Sequence, residues 1–370
     1  MTVILFVLAL SALILVHELG HYLAARLFGV KAEEFGFGFP PRLFGIVREG
    51  GRWKKVGPKD DAGYVNTVWS INALPLGGFV KIKGESEDGL QGRDSIHAKP
   101  IWQRLAIIAA GVAMNWVLAA LIFTGLFVSG GRMMLEGLPT NAKIADREVS
   151  VAYVVPDGPA AKAGVVEGDI LKSVAGTHPE TLEDAKRLIA AQGTSTVAIV
   201  VERDGAGRTL AVEPAMIPEI GRPGIGVGMM DVGTVSFSVP GAVVQGVALT
   251  GRATMLVVQG FWGVVRGLVV DQRVPADVSG PVGIAVVAGD VAEQGIAPFL
   301  QFIAMLSVNL AVINFLPIPA LDGGRAIFLI VEGIRRKPIS RSVEIGIHNI
   351  AFLLLLVLMA LITVRDIGRL

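Results

Sequence analysis

The residues best able to do chemistry stand near the start of the chain, in His17-Glu18-Leu19-Gly20-His21. On a helix the two histidines, four apart, share a face and can hold one Zn²⁺ between them. Glu18 beside them can take a proton from a water polarised there. A five-residue pattern of this kind also arises by chance, and its setting decides between the readings. An apolar run from Met1 to Val16 leads into it, and Tyr22-Leu23-Ala24-Ala25 follows. A charge at the centre of a membrane helix costs roughly 2.5–3.5 kcal/mol to insert, so such groups are functional by default. The pattern predicts a hydrolytic centre buried in a bilayer.

Two imidazoles leave one protein ligand to be found for a three-ligand catalytic zinc. The chain has no cysteine and only five histidines, so the remaining ligand is a carboxylate or another imidazole. Asn314-Phe315-Leu316-Pro317-Ile318-Pro319-Ala320-Leu321-Asp322-Gly323-Gly324 offers a candidate. Its two prolines break a helix and free backbone carbonyls, which at membrane depth is tolerated only beside protein or a wet cavity. Asp322, followed by two glycines, can approach a metal closely. Ordinary loop chemistry is the other reading of these residues taken alone.

Composition matches a membrane setting. The chain has 370 residues, 52% of them hydrophobic, and a mean hydropathy of +0.61. That is too apolar for a soluble protein and suits a polytopic membrane protein with room for one soluble domain. A net charge of +1 and the lack of a long basic run give no sign of nucleic acid. Without cysteine there are no disulfides and no thiolate chemistry.

Four segments are expected to span: Val3 to Phe28, Ile101 to Val128, Ile296 to Leu316 and Asn349 to Val364. The first lacks a basic leader and an Ala-x-Ala-like cleavage site, so it reads as a retained helix and not a signal peptide. Between the first two lies Gly29 to Pro100, with eleven Lys/Arg; between the last two, Arg325 to Arg341 carries five against the single Glu332. The positive-inside rule places both on the cytoplasmic side and Gly130 to Val239 outside, with Arg365 and Arg369 weakly opposed. Gly241 to Val270 is a fifth apolar stretch. Its Gln245, Arg252, Gln259 and Arg266 recur every seven residues as one polar stripe, which predicts a helix lying in the interface. The resulting division is 1–128 with a cytoplasmic loop at 29–100, an extracytoplasmic domain at 140–235, an interfacial helix at 241–272, and 296–370.

The outer region reads as a small α/β domain. Val151 to Val155 is a strand, Ala198–Glu202 with Thr209–Val212 is a hairpin around Asp204-Gly205, and Leu182 to Ala191 is an amphipathic helix. Pro156 to Gly164 and Glu167 to Leu171 resemble the short helix and following turn of bacterial PDZ domains. Gly224-Ile225-Gly226-Val227 resembles their peptide-accepting loop, whose amides take a carboxylate while the next strand edge pairs with the peptide. A structural domain without a ligand is the other reading.

HELGH in a first membrane helix, a PDZ-like insert and Asn-x-x-Pro-x-Pro-x-Leu-Asp-Gly-Gly in the third span together resemble the site-2 protease family of intramembrane zinc metalloproteases. The resemblance covers nearly the whole chain. It implies a polytopic α-helical membrane protein of four transmembrane helices, with an inserted α/β PDZ-like domain and a membrane-associated β-hairpin. It implies one Zn²⁺ per chain on His17, His21 and Asp322, with Glu18 as general base and Asn314 and Asn309 on the substrate backbone. Gly111 to Asn115 is similar to the family's Gly-x-x-x-Asn element, which would put Asn115 on the substrate; small-residue helix packing is an equal reading. Tyr64 to Lys83, with Gly77 and Gly78, resembles the hairpin that pairs with substrate, and Ser279 to Gly283 the segment before the third span.

The implied activity is cleavage of single-pass membrane proteins, anti-sigma factors for example, after trimming by an upstream site-1-type protease. The implied location is a bacterial inner membrane, with the active site toward the cytoplasm and the lipid bilayer, but no nucleic acid, as partner. There is room for one PDZ domain where some bacterial members carry two. A non-catalytic PDZ scaffold with a vestigial centre is the reading from another class, and intact His17, Glu18, His21 and Asp322 stand against it.

Overall fold

A computed structural model describes residues 2–60, 62–85, 92–139, 141–203, 205–217, 222–270, 280–337 and 339–368; Asp204, Ser279 and Arg369 lie outside them. The chain forms two compact units, 1–124 with 245–370, and 125–244.

In the first unit, α1 (Thr2–Leu27) runs unbroken until Gly29 takes a positive φ of 65°. Val30 N–H then bonds Ala25 O (2.8 Å) and Gly29 N–H bonds Arg26 O (3.1 Å), the paired closure that glycine past a helix end permits. A three-stranded sheet follows, ordered β2 (Arg52–Val56), β1 (Ala32–Glu49), β3 (Val68–Ile82). Over Glu34–Phe37 each β1 residue faces two β3 partners, one from Val68–Ile71 and one from Gly78–Lys81. Arg42–Ile46 then pairs with Trp69–Asn72. The hairpin expected over Tyr64–Lys83 is therefore one part of a sheet in which β1 and β3 bend around each other, Pro40-Pro41 and Pro75 marking the bends. Pro100 precedes α2 (Ile101–Ser129), where its missing N–H costs nothing.

The second unit builds a six-stranded sheet in the order β4-β11-β5-β6-β7-β8. Its elements are β4 (Gly131–Met134), β5 (Lys143–Val154), α3 (Pro159–Lys162), β6 (Ile170–Val174), α4 (Leu182–Ala191), β7 (Val197–Arg203), β8 (Ala206–Val212), β9 (Ala215–Ile217), β10 (Arg222–Gly224) and β11 (Val227–Ser236). Alternation fixes the buried face: Val197, Ile199 and Val201 of β7 join Val149, Leu171 and Ile189 in one core. The helix begins where Thr181 Oγ1 accepts Asp184 N–H (3.1 Å).

The chain then continues through α5 (Val239–Val269), α6 (Pro281–Glu293), α7 (Ile296–Phe315), α8 (Asp322–Arg335) and α9 (Arg341–Ile367). Among the described residues five helices are long and apolar enough to cross a membrane: Ile4–Leu27, Ile101–Ser129, Val239–Gly267, Ile296–Phe315 and Ser342–Ile367. The third of these covers most of the stretch expected to lie in the interface, 241–272, and is by length and apolar content sufficient to cross. Trp116 Nε1 donates to Thr254 Oγ1 (3.2 Å), and a Cβ on Gly246 would meet Thr124 Oγ1 at 2.3 Å, so α5 packs antiparallel along α2. The seven-residue polar stripe is present, but Gly246, Thr250 and Ala253 form a buried small-residue stripe that seats the helix on its neighbour.

Candidate metal centre

Three segments far apart in sequence meet here. The first helix contributes His17, Glu18 and His21, and Gly20 lets it approach α2 so closely that a Cβ would lie 2.3 Å from Ala110 O. A Cβ on Gly111 would lie 2.4 Å from His21 Nε2 and 2.8 Å from His17 Cε1, so the glycine is what leaves space for both rings. Asp322 opens α8, where a carboxylate complements the helix N-terminus. Gly323 and Gly324 let that turn press on the preceding loop, with Leu316 O and Ile318 O where Cβ atoms would be, at 2.2 and 2.3 Å.

The helix that carries Asp322 is clamped at two points. Arg325 Nη2 lies 3.0 Å from Glu85 Oε1, and Arg104 Nη1 donates to Glu332 Oε1 (3.2 Å). Asp322, Arg325, the buried Leu329 and Glu332 follow helical spacing, so the face that presents the carboxylate also carries both ion pairs. The Glu85 charge pushes the Arg325 guanidinium further up from its already high range.

His17 Nε2 lies 2.9 Å from Asp322 Oδ2 and 3.1 Å from His21 Nε2, and His21 Nε2 lies 3.3 Å from the same carboxylate oxygen. Four ligands about 2.0–2.1 Å from one Zn²⁺ stand roughly 3.3 Å apart, so this triangle has the right size. Its chemistry also fits, two imidazoles and a carboxylate whose ligand atoms lie within 4.8 Å of one another. The Nδ1 of His21 lies 2.8 Å from Ile107 O, a bond that leaves Nε2 bare for a metal. Burial works against the charged Asp322 carboxylate, but the two imidazoles beside it outweigh this and hold the carboxyl below its ordinary range.

The triangle opens on a cavity of about 200 Å³ lined by residues that include Ile14, Glu18, Asn115, Leu310 and Asn314. Glu18 Oε2 accepts the N–H of Val80 (3.1 Å), so β3 runs beside the candidate base. Gly77 and Gly78 face α1 directly: Cβ atoms on them would meet Ile14 and Leu15 side chains at 2.7 Å each. Asn115 is wholly buried, its Nδ2 3.5 Å from His17 Nδ1. Asn309 is not brought to the cavity; its amide donates to Met305 O (3.0 Å) within its own helix.

Gly224 to Val227 belong to the other unit, where Ile225 O and Gly226 O accept Ala160 N–H (2.8 Å) and Val155 N–H (2.9 Å). From Val227 onward β11 pairs with β5, but with β4 only over Val232–Val235. Its opposite edge at Val227–Met230 has no strand beside it among the described residues.

Sequence reading passed over two contributors. Ser11, lost in the opening apolar run, is 1% exposed; its hydroxyl donates to Pro75 O (3.2 Å) and accepts Gly77 N–H (3.0 Å). The alternation Phe35-Gly36-Phe37-Gly38-Phe39 was a visible signal. Gly36 admits Phe79, Asn72 and Ser70 where a Cβ would stand, at 2.4–2.6 Å, and Gly38, with φ 83°, lies against Leu74 O.

Residues 5–56 and 61–358 match the sequence profile of peptidase family M50. A protein of Clostridium perfringens named as a zinc metalloprotease is 35% identical, the match covering 99% of this chain and 98% of that protein. The regulator of sigma-W protease RasP of Bacillus subtilis is 28% identical, covering 100% of this chain and 99% of RasP. Among solved structures, the PDZ domain of an SdrC-like protein of Listeria monocytogenes matches at 24% identity and a TM-score of 0.22, covering 24% of this chain and 92% of that one.

Proposed function

Because the chain belongs to peptidase family M50, and is a multi-pass membrane zinc metalloprotease, we propose that it hydrolyses peptide bonds inside the membrane-spanning segments of single-pass proteins. One observation carries this reading: His17, His21 and Asp322 converge beside Glu18 on a cavity among helices apolar enough to cross a membrane.

One Zn²⁺ per chain, held by His17, His21 and Asp322, would polarise the scissile carbonyl and lower the pKa of water toward about 7. Glu18 takes the proton from the attacking water and hands it to the leaving amine. A helical substrate hides its carbonyls in its own hydrogen bonds, so it unwinds before attack. The edge of β3 beside Glu18, with Gly77 and Gly78, and the Asn314 amide in the cavity supply partners for the freed backbone groups. Asn309 serves this role only after releasing Met305 O.

The charged loops support an active site toward the cytoplasm and a PDZ-like domain outside. There Gly224 to Val227 and the strandless edge of β11 would receive the new end of a substrate trimmed by another protease. The name of RasP makes anti-sigma factors the substrates to try first.

The test compares membrane-protein fragments in cells carrying wild type or Glu18→Gln. The variant should bind zinc, since its ligands are untouched, and lose cleavage by about 10²–10⁴-fold. Substantial turnover by the purified variant would sink the assignment. Tags within 50–57 and 177–179 should report opposite sides of the membrane; the same side for both overturns the proposed orientation.

A further inference from the structure

We propose that Asn115 acts on His17 and not on the substrate: its side-chain carbonyl accepts the Nδ1–H of His17 and holds the ring with Nε2 toward Asp322. The inference rests on the zinc reading above and gives a buried amide a role in that centre.

Both imidazoles turn Nε2 toward the shared carboxylate and Nδ1 toward α2. A neutral imidazole carries one proton, so a ring whose Nε2 ligates a metal presents a donor at Nδ1 and needs an acceptor there. His21 has one in Ile107 O, at 2.8 Å. Ile107, Gly111 and Asn115 are spaced four apart and form one stripe of α2. The glycine in the middle makes room for both rings, and the residues on either side each stand at one Nδ1.

Asn115 Nδ2 lies 3.5 Å from His17 Nδ1, which would set donor against donor once that nitrogen is protonated. In the same amide Oδ1 is buried with no hydrogen-bond partner among the described residues. Turning the amide by half a rotation exchanges the two atoms and sets Oδ1 as an acceptor opposite His17 Nδ1. The rest of the residue is fixed for the task. Its backbone carbonyl accepts the hydroxyl of Ser307 (2.8 Å), itself wholly buried, so α7 pins the backbone from which the amide reaches His17.

Asn115 also lines the cavity, which makes substrate contact the rival role. Zinc affinity separates them, measured by chelator competition on the purified full chain, together with kcat and KM at saturating zinc. Asn115→Leu, similar in volume but unable to accept, should weaken zinc about 10–100-fold and leave KM near wild type. Asn115→Asp, which keeps an acceptor, should bind zinc at least as tightly as wild type. Unchanged zinc affinity in Asn115→Leu with a raised KM overturns the proposal in favour of substrate contact. If Asn115→Leu does not fold, Asn115→Asp decides alone: retained affinity supports the role and weakened affinity overturns it. His17→Ala runs alongside; wild type binding zinc no better than this variant would mean that the zinc reading itself has failed.

Discussion

Each unit of the molecule buries polar side chains, and they treat them in opposite ways. In the inserted domain Asp169 is fully buried and fully used. Arg203 clasps both its oxygens (2.7 and 2.8 Å), Val166 N–H reaches one of them (3.0 Å), and the guanidinium also serves Gly164 O. In the membrane unit His17 and His21 are nearly as buried, yet their Nε2 atoms stand 3.1 Å apart beside one oxygen of Asp322. A closed network fixes a fold, whereas one with unused capacity beside a cavity is built to receive something else.

The sharpest way to break this contrast is Asp169→Asn. Removing the charge opposite Arg203 should cost the domain about 3–5 kcal/mol, read as lost hydrogen-exchange protection of β5 to β8 in the full chain. Zinc affinity should not change. Protection equal to wild type would show that the Asp169 network is dispensable. Gly111→Ala should do the reverse, weakening zinc about 10–100-fold by displacing the imidazoles while the domain keeps its protection. Thr181→Ala should cost about 1 kcal/mol, confined to α4, through loss of its cap.

The smallest effect belongs to Glu148, which Arg132 and Lys172 share. Burial raises its carboxyl, but the Lys172 hydrogen bond and the Arg132 charge outweigh this and leave it below the ordinary value. A group lowered in the folded state stabilises at neutral pH and loses that contribution as pH falls through its folded value. Wild type and Glu148→Gln should differ by at most about 1 kcal/mol at pH 7 and converge in acid. A gap that persists in acid would mean that packing, not charge, holds this corner.

What the sequence made legible follows from how local each signal is. His17, Glu18 and His21 sit in one helical turn, and Leu182–Ala191 appears with the bounds its pattern predicted, because cap and periodicity are both local. Asp322 was readable because its two glycines and prolines are unusual at the end of an apolar helix. Gly111 and Asn115 left two explanations open, since only the packed rings reveal what the glycine clears. The pairing of β1 with both halves of β3 depends on contacts some forty residues apart and left only the alternating Phe-Gly trace. The polar stripe of α5 was easier to see than its small-residue stripe, because alanine, glycine and threonine stand out only against the helix they touch.

Ser11 and Glu18 of α1 hold Gly77 and Val80 of β3 at two points. Seven helical residues advance about 10.5 Å, and three strand residues about 10 Å. Helix and strand thus work as the two scales of a vernier whose marks coincide at both bonds. A strand slips in steps of about 3.3 Å and a helix in steps of about 1.5 Å, so no single-residue insertion or deletion between the marks realigns them. The length of 77–80 is gauged against two turns of α1, and that interval resists indels even where its side chains are free to vary.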